Sequence, residues 1–176
     1  MIKELSKLMK IALSRGKELI SLKDELEHAK AYIQLQKMRY DYTFQVEWQI
    51  DELDEDMMNV LIPKISLQPL LENAIIHGVK SMGDEGMIII TVKDHESGVS
   101  IQVADNGYKE VDLDKLHRLI RDDEPSTDLG YGVRNVQQRM RLHYGEGYGL
   151  SYQLAVGGGL VAELVLPLQR PELPTI

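Results

Sequence analysis

The sequence predicts an α/β two-layer sandwich, a mixed sheet with helices on one face, preceded by a long N-terminal helix. Three observations lead there. Strands and helices do not alternate one for one, which argues against a doubly wound parallel sheet. Two pairs of consecutive strand-like segments read as hairpins, and several helical segments carry one apolar stripe each. A hydrophobic fraction of 43% over 176 residues is enough for an ordinary core, and with only 6% aromatic residues that core must be built of Leu, Ile, Val and Met.

The elements follow in chain order. Leu5, Leu8, Met9, Ala12 and Leu13 recur at helical spacing over residues 2–15, and Gly16 is a plausible stop. Ser21 and Asp24 stand in capping-box positions, so a second helix is expected over 22–40. Its stripe of Leu22, Leu26, Ala29 and Ile33 has the three-and-four alternation of a coiled-coil seam. Such a seam suits either a partner helix or the helix's own domain, and the partner-facing reading is the one adopted. Phe44, Val46, Trp48 and Ile50 alternate with polar neighbours, predicting a half-buried strand over 43–50. Residues 51–59 form an acidic connection with room for a helical turn. A helix is expected over 66–79. Strands over 87–93 and 99–105 meet near Ser97 and Gly98. A short amphipathic helix covers 111–121, and a loop rich in Asp, Gly, Pro, Ser and Thr covers 122–132. A helix over 132–144 precedes paired strands over 150–156 and 160–166. Pro171 and Pro174 mark a frayed tail over 169–176. The implied division is a helical region over 1–40, a mixed α/β domain over 41–168, and a tail over 169–176.

The totals exclude several functions. A net charge of −8 with no basic run argues against nucleic acid or an anionic membrane surface as partner. The absence of cysteine removes disulfides, thiolate metal sites and a Cys nucleophile. No apolar run is long enough to span a bilayer, and charges interrupt the N-terminus too often for a secretory signal. His28, His95, His117 and His143 are expected on surface faces, with none at metal-ligand spacing from another.

Three constellations can carry chemistry. In the helix over 66–79, Leu67, Leu70, Leu71, Ala74, Ile75 and Gly78 share one face, while Glu72 and Asn73 lie off it. His77 is one turn beyond Asn73. This is either a solvated edge or a ledge for a ligand, with a carboxylate to take a proton, an amide oxygen for a hard cation and an imidazole for an anionic oxygen. Next, the strand over 99–105 runs into Asp105, Asn106 and Gly107. That is a plain turn, or a carboxylate that accepts a hydrogen bond from an exocyclic amine while the glycine lets backbone approach a flat ring. Finally, Gly130 and Gly132 open a helix, where backbone N–H groups make an anion site. No Gly-Lys-Ser/Thr follows and no strand precedes, so this is neither a Walker loop nor a dinucleotide fingerprint.

The order of these three boxes resembles that of the GHKL group of ATP-binding proteins, and within it the LytS/YehU-like sensor histidine kinases. YIQLQKMRY at 32–40 resembles the family's YLxIQxxRF segment. IPKISLQPLLENAIIHG at 62–78 resembles IPxLxLQPLVENAIKHG, and GYGVRNVQQRMRLHYG at 130–145 resembles GIGLxNVxxRLxxxYG. The likeness covers roughly residues 5–168.

The resemblance implies the GHKL (Bergerat) ATP-binding fold, ATP with Mg²⁺, and transfer of the γ-phosphoryl group to a histidine. It implies that Asn73 binds Mg²⁺ carried by the phosphates, that Glu72 polarises the acceptor histidine, and that His77 approaches phosphate. By the same likeness Asp105 bonds the adenine amine, Gly107 lets the ring pack, Gly130 and Gly132 admit the phosphates, and 108–129 is the ATP lid. The implied partners are a histidine-bearing dimerisation segment upstream of residue 1, a response regulator and, at full length, a second copy in a homodimer. The implied setting is cytoplasmic, as the intracellular domain of a membrane-anchored sensor. Three departures stand out. Lys109 replaces the family's second glycine, Leu160 replaces its late threonine, and the acceptor motif is absent. The first two motivate an alternative, a catalytically degenerate nucleotide-binding module that acts through a partner kinase.

Overall fold

The computed structural model describes residues 18–41, 43–51, 55–107, 111–121 and 131–168. The expected helix over 2–15, its stop at Gly16, nearly all of the loop over 122–132 and the tail over 169–176 lie outside the described residues.

Strand β1 (Leu19–Ser21) leads directly into helix α1 (Leu22–Tyr40). Ser21 has extended backbone and its hydroxyl accepts from the Asp24 N–H at 3.1 Å, so the predicted cap forms. Asp24 and Glu25 lie in the first turn and Lys37 and Arg39 in the last, each sign matching the helix dipole. The helix ends at Asp41, left-handed at φ 52°, whose N–H donates to the Lys37 carbonyl.

The stripe on α1 requires a correction. Leu22, Leu26, Ala29 and Ile33 are 0–4% exposed, and they belong to the chain's own hydrophobic core. Each Leu or Ile so buried contributes about 1.5–3 kcal/mol, which docks α1 on its own chain. The seam is therefore not presented to a second copy. His28, on the same helix, is 2% exposed rather than on a surface face, and burial holds its imidazole below the usual range.

Strand β2 (Gln45–Ile50), a single turn α2 (Glu55–Met58) and strand β3 (Leu61–Pro63) follow. β3 pairs antiparallel with β1, with Ile20 opposite Ile62, in a two-stranded sheet that periodicity did not reveal. Helix α3 (Leu67–Asn73) continues into a wider turn (Ala74–Val79), closed by the Lys80 N–H on the Ile75 carbonyl at 2.8 Å. Such i to i−5 turns inside α-helices are frequent at functional sites.

Strands β4 (Met87–His95) and β5 (Gly98–Asp105) form the expected hairpin. Helix α4 (Leu113–Ile120) is capped by the Asp112 carboxylate on the Lys115 N–H. Helix α5 (Tyr131–Tyr144) and the paired strands β6 (Gly149–Leu154) and β7 (Leu160–Pro167) complete the chain. The main sheet runs β2-β4-β5-β7-β6, with β2 parallel to β4 and the remaining neighbours antiparallel. Ile88, Ile90, Val92, Val99, Ile101, Val103, Leu164 and Leu166 turn inward at 0–2% exposure, beneath the helices. This is the predicted mixed sheet with helices on one face, and β5 at its centre ends at Asp105.

Candidate functional site

Period-two alternation on β5 sends Val99, Ile101, Val103 and then Asp105 to the inner face. A carboxylate therefore stands where the preceding inward positions are apolar, and it is 9% exposed. The Gly107 N–H donates to its Oδ1 at 2.9 Å, and the Leu160 N–H also donates to the carboxyl. Burial raises the Asp105 carboxyl above its ordinary value, and those two N–H donors oppose the rise without cancelling it.

Glycines surround this carboxyl. A Cβ on Gly78, in the wide turn after α3, would lie 2.7 Å from both Cγ and Oδ1 of Asp105. One on Gly107 would lie 2.8 Å from Oδ1 and 2.9 Å from the Gly78 Cα. Gly159, at φ +91°, presses on the Asp105 carbonyl, 1.9 Å from where its own Cβ would be. Backbone from three segments thus converges on one acidic group. Gly107 belongs to the expected site, but the contacts of Gly78 and Gly159 with Asp105 were not foreseen. The neighbouring Asn106 is structural: its Oδ1 accepts from the Met87 N–H at 2.7 Å and its Nδ2 donates to the Glu85 carbonyl at 2.9 Å.

Glu72, Asn73 and His77 are half-buried on α3 and its wide turn. Gln68 Nε2 donates to Glu72 Oε1 at 2.8 Å across one helical turn. Asn73 lies beside the buried hydroxyl of Tyr152 on β6 and opposes the rise of its phenol, a contact that among the described residues falls short of full hydrogen-bond geometry. Burial pushes the Tyr152 phenol well up. Asn73 and Gly78 are five residues apart, about one turn of that wider helix. The helix that carries Asn73 therefore also carries the glycine that touches Asp105, which places the two boxes along one edge.

Gly132 is the second residue of α5, and a Cβ on it would lie 3.1 Å from Pro69 Cβ of α3. The glycine lets the start of α5 approach α3 closely. Gly130 and half of the expected lid, 108–110 with Tyr108 and Lys109 and 122–129, lie outside the described residues. A groove of about 450 Å³ between α3 and α5 is lined by Ile65, Pro69, Gly132, Asn135, Arg139 and Leu142 among others. It includes none of Asn73, His77 and Asp105, so it is not where an adenine held by Asp105 would sit.

A second buried acid escaped the sequence reading. Glu25 on α1 is fully buried, and burial raises its carboxyl although the backbone N–H groups of Leu67, Ile65 and Ser66 and the Arg139 charge act the other way. Its one sequence signal is a charge placed against the apolar stripe, one residue before Leu26.

The site's donors suit a purine nucleotide with a hard cation. Among the described residues no three His, Asp or Glu side chains gather to hold a metal. A cation bound through the Asn73 amide oxygen would take its other oxygens from phosphate and water, as Mg²⁺ commonly does.

Known proteins resemble this chain throughout. Residues 63–170 match the family model described as histidine kinase-, DNA gyrase B-, and HSP90-like ATPase, and residues 1–44 match a model described as histidine kinase. The chain is 35% identical over 130 residues to the sensor histidine kinase YpdA of Escherichia coli (strain K12), covering 74% of this chain and 22% of that protein. It is 30% identical over 172 residues to the sensor histidine kinase/phosphatase LytS of Staphylococcus aureus (strain MRSA252), covering 96% of this chain and 29% of that protein. The chain thus spans about a quarter of the length of these curated relatives. The solved structure of histidine kinase ThkA in complex with response regulator protein TrrA aligns at a TM-score of 0.57 and 16% identity, over 96% of this chain and 48% of that one. That last likeness is one of fold.

Proposed function

From the premise that the chain belongs to the histidine kinase-, DNA gyrase B-, and HSP90-like ATPase family, we propose that it binds Mg²⁺-ATP and, within its intact protein, transfers the γ-phosphoryl group to a histidine upstream of residue 1. The observation that carries this reading is the Asp105 carboxyl, held at a strand end and pressed by Gly78 and Gly107. An acid in that setting accepts the exocyclic amine of adenine, and side-chain-free backbone leaves room for the ring.

The remaining roles follow from position. The Asn73 amide oxygen would hold Mg²⁺ together with phosphate oxygens, and the metal when bound would neutralise phosphate charge. His77, one turn on, would meet phosphate. Gly132, with Gly130, would bring the N-terminus of α5 to the anionic chain. Glu72 would accept the proton from one imidazole nitrogen of the acceptor while the other attacks the γ-phosphorus. The bond from that phosphorus to the β,γ-bridging oxygen breaks and ADP leaves. Catalysis in such a site is positioning and charge stabilisation.

We read 41–168 as the nucleotide domain, 1–40 as the end of the helical region that delivers the acceptor, and 169–176 as tail. The partners would be a response regulator and, at full length, a second copy that meets this one elsewhere than at the buried stripe of α1. The setting would be cytoplasmic, below a membrane anchor. Among the described residues no helix is long and apolar enough to cross a membrane.

Titration of ATP into the chain with Mg²⁺ tests the site. Asn73→Ala and Asp105→Ala should each weaken binding roughly 10- to 150-fold, the loss expected for one hydrogen bond to a charged group at about 1.5–3 kcal/mol. Unchanged affinity in both variants would refute the assignment. Acid-labile labelling of the intact protein from γ-labelled ATP tests the transfer.

A further inference from the structure

Helix α3 is capped from another helix. Glu25 Oε1 accepts from the Leu67 N–H at 2.8 Å and Oε2 accepts from the Ile65 N–H at 2.9 Å, while the Ser66 N–H is a third partner. The residue placed to cap α3 locally is Ser66. Its side chain makes no cap bond and donates instead to the Pro63 carbonyl. The first N–H of α3 and the two that precede it are therefore satisfied by a carboxylate some forty positions earlier in the chain, at zero exposure.

The segment that leads into α3 is held from the other side. Arg139 of α5 donates through Nη1 to the Lys64 carbonyl and through Nη2 to the Ile65 carbonyl at 3.2 Å. Between these clamps Ile65 sits at φ 59°. A β-branched residue adopts that left-handed backbone only where its surroundings impose it. Downstream on α3, Pro69 meets Gly132 at the start of α5, and Asn73 follows at the helix end. The rotation and height of α3 therefore set where the proposed magnesium ligand and the proposed phosphate-binding helix start stand.

We propose that Glu25 is a positioning residue for the nucleotide site: its carboxylate on α1 fixes the start of α3 so that Asn73 meets the phosphate-bound metal. The seating of α1 is thereby felt by the metal-dependent part of nucleotide binding. The proposal rests on the reading of Asn73 as the metal ligand and Asp105 as the adenine acceptor.

The test separates those two contacts. ATP is titrated into the full chain in Mg²⁺ and again in EDTA, for wild type, Glu25→Gln, and the double variant Glu25→Gln with Ile65→Gly. Glycine adopts the positive φ without strain, so the double variant keeps the turn formed when the carboxylate is lost. In both variants the Mg²⁺-dependent affinity should fall roughly tenfold or more, the effect of one misplaced charged contact, while affinity in EDTA, carried by Asp105, stays within about twofold. Equal loss in both buffers would make Glu25 a purely structural group and overturn the proposal, as would no loss in either. If Glu25→Gln does not fold, the double variant decides by the same criteria. Wild-type protein that binds no ATP in either buffer would overturn the site reading and this coupling together.

Discussion

Replacing Gly78 by alanine puts a methyl group 2.7 Å from Cγ and Oδ1 of Asp105 and 3.0 Å from its Cβ. Carbon atoms in ordinary contact stand about 3.5–4.0 Å apart, so something must move by close to 1 Å. Asp105 has little freedom, because its backbone is paired with Ile88 in the sheet and its carboxyl is held by the Gly107 N–H. Overpacking of this kind costs about 1–3 kcal/mol, against a gain of about 0.5–1 kcal/mol for alanine over glycine in a helix. The net loss is about 1–2 kcal/mol, which for a chain of this size lowers Tm by about 2–8 °C. The functional effect should be larger. A displaced carboxyl forfeits its bond to the adenine amine, worth about 1.5–3 kcal/mol, so ATP affinity should fall roughly 10- to 150-fold. Calorimetric titration with ATP and with ITP, whose base carries a carbonyl in place of the amine, isolates that bond. Gly78→Ala should bring the two affinities together. A variant that melts at or above the wild-type temperature and still prefers ATP to the wild-type degree would refute the contact as described.

Two further expectations follow from buried polar groups. Burial holds the folded-state Asp105 carboxyl above its ordinary 3.8, so protonation favours the native state; that contribution is whole below the ordinary value and is lost as pH rises through the folded one. Asp105→Asn cannot ionise, and its Tm advantage over wild type should therefore grow as pH rises above the ordinary 3.8, even as it loses ATP affinity; an advantage that shrinks with rising pH would contradict this. Tyr152→Phe removes a buried hydroxyl whose contact with Asn73 falls short of full hydrogen-bond geometry among the described residues, so the variant should melt higher by the equivalent of about 1 kcal/mol. Because that hydroxyl lies beside Asn73, its Mg²⁺-dependent ATP affinity should also change, and a lower Tm with unaltered binding would show the hydroxyl to be satisfied after all.

Much of the fold was legible because its signals are short-range. Ser21 and Asp24 are three positions apart, and the cap between them depends on little else. The alternation of Val99, Ile101 and Val103 placed β5, and the turn at Ser97 and Gly98 placed its hairpin. Asp105 was visible as an acid at the end of an apolar strand, and Asn73 and His77 as polar groups off an apolar helical face. The resemblance supplied their order and their roles. What stayed hidden was contact between distant segments. Nothing near Gly78 or Gly159 says that Asp105 lies against them, and the pairing of β1 with β3 bridges some forty residues. The stripe on α1 was misread for a related reason. A spacing of three and four states that one face of a helix is apolar, and several different partners can cover such a face.

The sequence by itself determined the local elements, the caps that begin them and the residue types able to hold a nucleotide, because those depend on dihedral preference and on neighbours within about one helical turn. Only the tertiary structure decided which surface covers α1, which glycines close on Asp105, and that a carboxylate from α1 caps the helix carrying Asn73. Burial and hydrogen-bond completion are properties of the assembled core, where a group's energy depends on what the rest of the chain brings against it.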